Sequence, residues 1–442
     1  MIGAAIIAFI SLHAGIGFAD DNSFFAARRE ALINRIGDAV VVLQGAPDTR
    51  AYDSFRQDNN FYYLTGITVP EALLLIDGAQ HRSILFLPPR NMRTEQWEGP
   101  RLIAGPEAAR ETGLDEVLEL TSFGAELEKR KRTFRVLYTP FSPHETAATS
   151  RDRALQHESA RQNNPWDGRQ SREAVFQKRL KEKVGSSVSI KDLSPILDDM
   201  RRIKDAQEIE RLRHAGRVAA LGLKEAMRLA KPGMYEYQLA AAAEFIFLWH
   251  GAFGPAFFPI VGSGPNSCRM HYNANVRKME MNDIVVMDFG PDDRYYGSDV
   301  TRTFPVSGKF SEEQAEIYRI VLAAQKAALE RVRTGATFNT LNDAVHEVLD
   351  RSGYLEYLTH GVSHYVGMST HDVGKPEPFE PGVVITVEPG VYIPEKNLGI
   401  RIEDTILVTR DGYEILTGDA PKEIVEIEKL MSEKGIDEAI KD

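Results

Sequence analysis

The stretch VVMDFGPDDRYYGSDVTRTFP, residues 285–305, decides how the rest of the chain is read. Val285, Val286 and Met287 run straight into Asp288, and eleven positions later comes Asp299, followed by Thr301 and Thr303. A short continuous apolar run bounded by turn residues is the pattern of a buried strand. Such a strand ending on a carboxylate, with a second carboxylate just beyond a turn, raises the question of what neutralises the two charges.

The same grammar returns about 100 residues later. AQEIERLRHAGRVAALGLKEAMRLA places Ile209, Leu212, Ala219, Leu223, Ala226 and Ala230 at helical spacing before Pro232-Gly233 stops it. EEQAEIYRIVLAAQKAALERVRTG, opened by a capping box of Ser311 with Gln314, ends at Gly335. A second helical stretch follows each, EYQLAAAAEFIFLWHG and TFNTLNDAVHEVLDRSG. Then comes an apolar strand tipped by an acid, IVVMDFG in one case and VVITVEPG in the other. From Gly233 to Asp288 is 55 positions and from Gly335 to Glu388 is 53, while His271 and His371 each precede their acid by 17. The period is too long for a solenoid. It predicts two related halves packed around one central site.

Asp288 and Asp299 belong to the first half, and Glu388 and Glu403 (in GIRIEDTI) to the second. Four carboxylates converging in a low-dielectric site repel one another. Two divalent cations bring four positive charges, and oxygen-rich sites suit ions such as Mn²⁺. Nitrogen donors are at hand in HGVSHYVGMSTHDVG, with His360, His364 and His371. A single acid at a strand end is usually a cap, but four in matched places of two halves are not. Gly361 and Ser363 argue against a helical zinc motif. A thiol nucleophile built on Cys268 and His271 leaves the acids unexplained. GSGPNS, from Gly262, has no helix after it and reads as a plain turn.

The chain has 442 residues, enough for two domains, and a net charge of −11 disfavours nucleic acid or an anionic membrane as partner. Its one cysteine excludes an intramolecular disulfide. AVVVLQG, ALLLIDG, SILFLPP and RVLYTP are strand-like and point to an α/β N-terminal domain. Polar residues dominate from Glu145 to Lys183, with a basic, solvated helix expected over 169–183. Residues 1–19 lack Asp, Glu, Lys and Arg, and IGAAIIAFISL before Gly17-Phe18-Ala19 resembles a signal peptide, although no basic residue precedes it. Export to a periplasmic or extracellular compartment is expected; the alternative is an uncleaved apolar tail on a cytoplasmic protein. The run is too short for a membrane span, and no second apolar run reaches that length.

MDFG, YYGSDVTRTFPVSGKFSEEQAEIY, HGVSHYVGMSTHDVG, VVITVEPGVYI and GIRIEDTILVT together resemble the aminopeptidase P and prolidase group of dinuclear metallopeptidases. RRIKDAQEIERLRHAG extends the resemblance, and FRQDNNFYYLTGITVPEALLLID is similar to the amino-terminal domain of aminopeptidase P. The resemblance begins near Phe24 and leaves the expected leader over 1–19 outside it; it implies an N-terminal α/β domain with linker over 20–190, and an α+β catalytic domain of the pita-bread fold, with a pseudo-two-fold repeat, over 191–442. It implies that Asp288, Asp299, His364, Glu388 and Glu403 ligate two ions, commonly manganese, otherwise cobalt or zinc, with Asp299 and Glu403 bridging. Glu388 would also take the proton of a metal-activated water. His271, His360 and His371 correspond to histidines that contact substrate or support catalysis. Arg401 corresponds to an arginine orienting the carboxylates, and Tyr392 to a substrate-binding tyrosine. The implied activity is Xaa-Pro aminopeptidase, releasing the residue before a penultimate proline from peptides; the alternative is a prolidase confined to Xaa-Pro dipeptides. A metal-free creatinase-like hydrolase, or a peptidase-like binding module, would show eroded ligands. Relatives are often dimers or tetramers, and in some a tryptophan like Trp97 reaches a neighbouring subunit's site; the other reading of Trp97 is a domain-core residue. The polar stretch 145–183 fits no family motif, and the short loop after His371 leaves finer specificity open.

Overall fold

The structure, a computed structural model, describes residues 22–49 and 53–436. The leader expected over residues 1–19 lies outside them. The chain forms two compact units, one of residues up to Gln57 together with Phe61–Arg130, the other of Asp58–Asn60 and everything from Lys131. In the first, strands Val40–Gln44, Leu73–Asp77 and Arg82–Leu87 pair antiparallel, and Glu116–Glu119 joins the last in parallel. The first three are apolar runs expected there, whereas Glu116–Glu119 is not among the expected strands; Leu73–Asp77 is buried throughout. Trp97 sits on the short helix Met92–Glu98 and is 79% exposed, which overturns the domain-core reading of that side chain.

The second unit begins with Val136–Thr139 paired in parallel with Ser189–Asp192. Between them the polar stretch folds into helices Arg151–Gln162 and Arg172–Val184, capped by Ser150 and Ser171. The latter buries only Leu180 and Val184, in keeping with a solvated basic helix. The residue that opens the stretch is not solvated: Glu145 is buried against Arg201 and Arg151.

Two similar halves follow. Helix Ala206–Leu229, opened by a capping box of Asp205 with Glu208, packs on Glu236–Trp249. An antiparallel sheet of Ile260–Ser263, Ile284–Phe289 and Val300–Pro305 comes next. Helix Glu312–Leu329, with the expected Ser311–Gln314 box, packs on Phe338–Arg351. Its sheet is Val384–Val387, Asp404–Val408 and Tyr413–Ile415, again antiparallel. A hairpin of Gly390–Ile393 with Leu398–Arg401 completes the second half. All six residues of Ile284–Phe289 are buried, because helices and the second half cover both faces of the strand.

The halves meet where residues 301–303 face 401–403. Glu403 N–H donates to Thr301 O (3.0 Å), and Thr303 Oγ1 donates to Arg401 O (2.9 Å). Arg302 locks this seam. Its guanidinium is fully buried and donates to Asp404 Oδ1 (2.7 Å) and to the carbonyls of Thr301, Glu403, Ala420 and Pro421. Arg302→Leu leaves Asp404 and these carbonyls under-satisfied in a dry setting, so it is expected to cost about 3–5 kcal/mol. Denaturant titration tests this: the midpoint should fall at unchanged slope, and an unshifted midpoint would mean that the seam does not depend on Arg302.

Candidate metal centre

The expected acids arrive from four places on the seam. Asp288 lies inside strand Ile284–Phe289, opposite Thr301. Asp299 immediately precedes Val300–Pro305, with its backbone pinned by Thr405: Oγ1 accepts from Asp299 N (3.1 Å) and donates to Asp299 O (2.7 Å). Glu388 follows Val384–Val387, and Glu403 sits between Leu398–Arg401 and Asp404–Val408. Gly290 keeps the first pair together: a Cβ there would lie 1.6 Å from Ser298 O.

Ligand atoms of Asp299, His364 and Glu403 all lie within 4.8 Å of one another. His364 Nε2 is 3.5 Å from Asp299 Oδ2 and 3.3 Å from Glu388 Oε1. The other ring nitrogen, Nδ1, is 3.0 Å from Tyr365 O, so it carries the proton and Nε2 is left as a lone pair aimed at the acids. Arg401 donates to Asp288 Oδ2 (2.6 Å), to Tyr392 OH (3.0 Å) and to Thr301 Oγ1 (3.0 Å). His360 Nε2 lies 2.9 Å from the same tyrosine oxygen, and its Nδ1 is 4.0 Å from Glu388 Oε2. His371 stacks on His364 with ring centroids 3.8 Å apart, and His271 shares the cleft wall. Every site residue singled out in the sequence except Tyr392 lines one cleft of about 590 Å³. Tyr392 is buried behind it, in contact with His360 and Arg401.

Electrostatics reflect the crowding. Burial first, then Glu403, Asp288 and Glu388, push Asp299 well above the ordinary carboxylate range. Glu403 is raised well above it too, by burial and then Glu388 and Asp288. Glu388 is raised by burial, partly offset by His360 and Arg401. Burial holds His364 and His360 down, and desolvation with the neighbouring His364 and His271 rings does the same to His371. Burial opposes the charge on Arg401, but Tyr392, Asp288 and the glutamates outweigh it. Burial also raises the Cys268 thiol, which speaks against a thiolate nucleophile.

The chain matches metallopeptidase family M24 over residues 210–410 and the N-terminal domain of aminopeptidase P over 25–138. Xaa-Pro aminopeptidase from Escherichia coli is 33% identical, across 92% of this chain and 97% of its own. The chain belongs to the aminopeptidase P group of family M24. Among solved structures, proline aminopeptidase P II from Yersinia pestis is 33% identical with a TM-score of 0.78, covering 93% of this chain and 99% of its own. A zinc-substituted aminopeptidase P from E. coli in complex with product is 32% identical with a TM-score of 0.78, covering 93% and 98%.

As an M24 metallopeptidase the chain is a divalent-metal peptide hydrolase, and its donor set fits such an ion. Asp288 Oδ1 and Asp299 Oδ1 are buried without a hydrogen-bond partner, and an unprotonated His364 Nε2 faces two carboxylates. Acceptors gathered this closely need a cation between them.

Three hydroxyls that the sequence reading left without a role support the peptidase's acids. Thr301 Oγ1 donates to Glu403 Oε2 (2.6 Å), and Thr386 Oγ1 donates to Glu388 Oε1 (3.2 Å) while accepting from His364 N (3.1 Å). Thr405 is the third. Thr386 stands two before Glu388, and period-two strand geometry is the signal that pairs them. Phe257, Phe258 and Met270 add an apolar wall, and Ala148, Ser150 and Arg153 reach the cleft from the stretch read as a linker.

Proposed function

We propose that this peptidase is an Xaa-Pro aminopeptidase that uses two divalent ions, manganese in the first instance, held by Asp288, Asp299, His364, Glu388 and Glu403. The observation that carries the reading is the meeting of these donors with His271, His371 and an apolar wall in one cleft. Bound there, the ions supply Lewis acidity and a water acidic enough to attack at neutral pH. The chain's own groups do the rest. Glu388, with its raised pKa, takes a proton from the attacking water and delivers it to the proline nitrogen as the peptide bond breaks. His371 and His271 donate hydrogen bonds to the carbonyl oxygen as charge develops on it. Burial and the neighbouring His364 and His271 rings hold the His371 pKa down, so this ring meets the carbonyl as an uncharged N–H donor. Arg401 holds Asp288 in orientation by donating to it, and through Tyr392 it also fixes His360. The acid cluster meets the substrate's free ammonium group, which sets the cut after one residue. A bond to proline has no N–H, so a cleft lined by Phe257 and Phe258 accepts the ring without leaving a donor unpaired.

The finer parts of the proposal are the pita-bread arrangement of the two halves, a catalytic segment starting near residue 191, assembly as a dimer or tetramer, and export guided by residues 1–19. Among the described residues no helix is long and apolar enough to cross a membrane. The deciding experiment compares Gly-Pro with Arg-Pro-Pro, using chelated protein and then protein reloaded with Mn²⁺. Metal-restored cleavage of the tripeptide is expected. Cleavage of the dipeptide alone would make the enzyme a prolidase, and cleavage of neither would end the peptidase reading.

A further inference from the structure

The segment 145–153 falls between the two family matches, which end at 138 and resume at 210. It is nevertheless part of the cleft, contributing Ala148, Ser150 and Arg153 to the wall that His371 also lines. The structure holds it firmly. Arg151 Nε donates to Glu145 Oε1 (2.8 Å), and Arg151 also pairs with Asp198. Glu145 Oε2 accepts from buried Arg201 (2.8 Å), which donates to Asp372 Oδ1 (2.6 Å), the residue after His371. Lys204 also grips Asp372, at 3.1 Å. Thr370 N–H donates to Ala147 O (2.8 Å), and Ser369 Oγ to Thr146 O (2.9 Å). The His371 loop and residues 145–151 are therefore cross-linked at several points, and Arg153, in the first turn of helix Arg151–Gln162, is fixed relative to the catalytic histidines.

Among the described residues, two cationic side chains line the cleft, Arg153 and Arg401. Arg401 is buried and committed to Asp288, Tyr392 and Thr301. Arg153 is exposed, and among the described residues its guanidinium has no carboxylate partner. A cleft with acids at its floor and one unpartnered guanidinium on its wall is charge-sorted. It attracts an ammonium inward and a carboxylate toward Arg153. At about 590 Å³ it accommodates a ligand of a few residues. We infer that Arg153 binds the C-terminal carboxylate of short peptides, making this enzyme selective for oligopeptides a few residues long. This rests on the Xaa-Pro aminopeptidase reading and names its substrate class. A guanidinium can meet a carboxylate with two parallel N–H···O bonds, so both charge and geometry count.

The test uses the full-length, metal-loaded enzyme with Arg-Pro-Pro and its C-terminal amide. Wild type is expected to prefer the acid by about tenfold in kcat/KM, carried by KM, as one charge-assisted contact provides. Arg153→Gln should erase the preference, Arg153→Lys should keep part of it, and Arg153→Glu should reverse it. Equal hydrolysis of acid and amide by wild type overturns the inference alone, as does a preference that survives Arg153→Gln. Failure of wild type to cleave either peptide overturns the aminopeptidase reading and the inference with it.

Discussion

Glu388→Gln is expected to lower kcat on an Xaa-Pro peptide by about a thousandfold, in the middle of the range that general acid–base groups contribute, while both ions stay bound. Glutamine keeps the size of the side chain and its carbonyl oxygen. It can still accept from Thr386 Oγ1, which sits 3.2 Å from Glu388 Oε1, and its oxygen can still face the ions. It cannot carry a proton. Burial already lifts Glu388 above the ordinary carboxylate range, and Asp288 adds to this, toward the value at which one group both takes a proton and returns it. KM should move little, because the substrate's amino terminus and proline ring are held by other groups. Metal content measured alongside turnover separates the outcomes. Near-normal turnover with both ions bound would assign the proton transfer elsewhere, and loss of an ion would show that Glu388 acts chiefly as a ligand.

How much of this was legible in the sequence depends on the distance over which each feature is encoded. Ile284–Phe289 and Val384–Val387 were readable because strands buried on both faces leave unbroken apolar runs. The shared offset of 17 from His271 to Asp288 and from His371 to Glu388 exposed the duplication, and with it the convergence of acids. Arg401 and Tyr392 were different. An arginine two residues before a glutamate has no periodic signature, and only the family resemblance singled them out. Thr301 and Thr386 were visible as strand residues, but their hydroxyls matter through partners on other strands. In the stretch 145–183 the solvated basic helix was legible, but a polar average conceals a buried Glu145. That residue's partners stand at Arg201 and, beyond it, Asp372, separations of 56 and 171 positions that no local pattern reports. The wall of the cleft supplied by residues 145–153 is thus held by contacts that are long-range in sequence, while its catalytic floor is written in local motifs.

Chelation should abolish hydrolysis, and its effect on stability should depend on pH in a direction fixed by the acids. Asp299, Glu388 and Glu403 all have folded pKa values raised above their unfolded ones, chiefly by burial. Above an unfolded carboxylate pKa of about 4, the chelated folded chain holds protons that the unfolded chain has released. Stability then falls as pH rises, until the folded groups have ionised too. Bound cations replace those protons and remove the penalty. The Tm of chelated protein should therefore decline from about pH 5 upward, while that of metal-loaded protein stays flatter, so the gap between them widens. Mass action sets its scale, about 4 kcal/mol when free metal exceeds Kd a thousandfold. Below pH 5 the comparison changes character, since Asp404 and Asp372, held down by Arg302 with Lys422 and by Arg201 with Lys204, lose their pairing as they protonate and destabilise both forms alike. Paired melting curves at pH 5, 6, 7 and 8, with and without Mn²⁺, decide the matter. A constant gap would mean that the buried acids do not share their charge with the metal, and a gap that widens toward neutrality is what repelling carboxylates around a cation require.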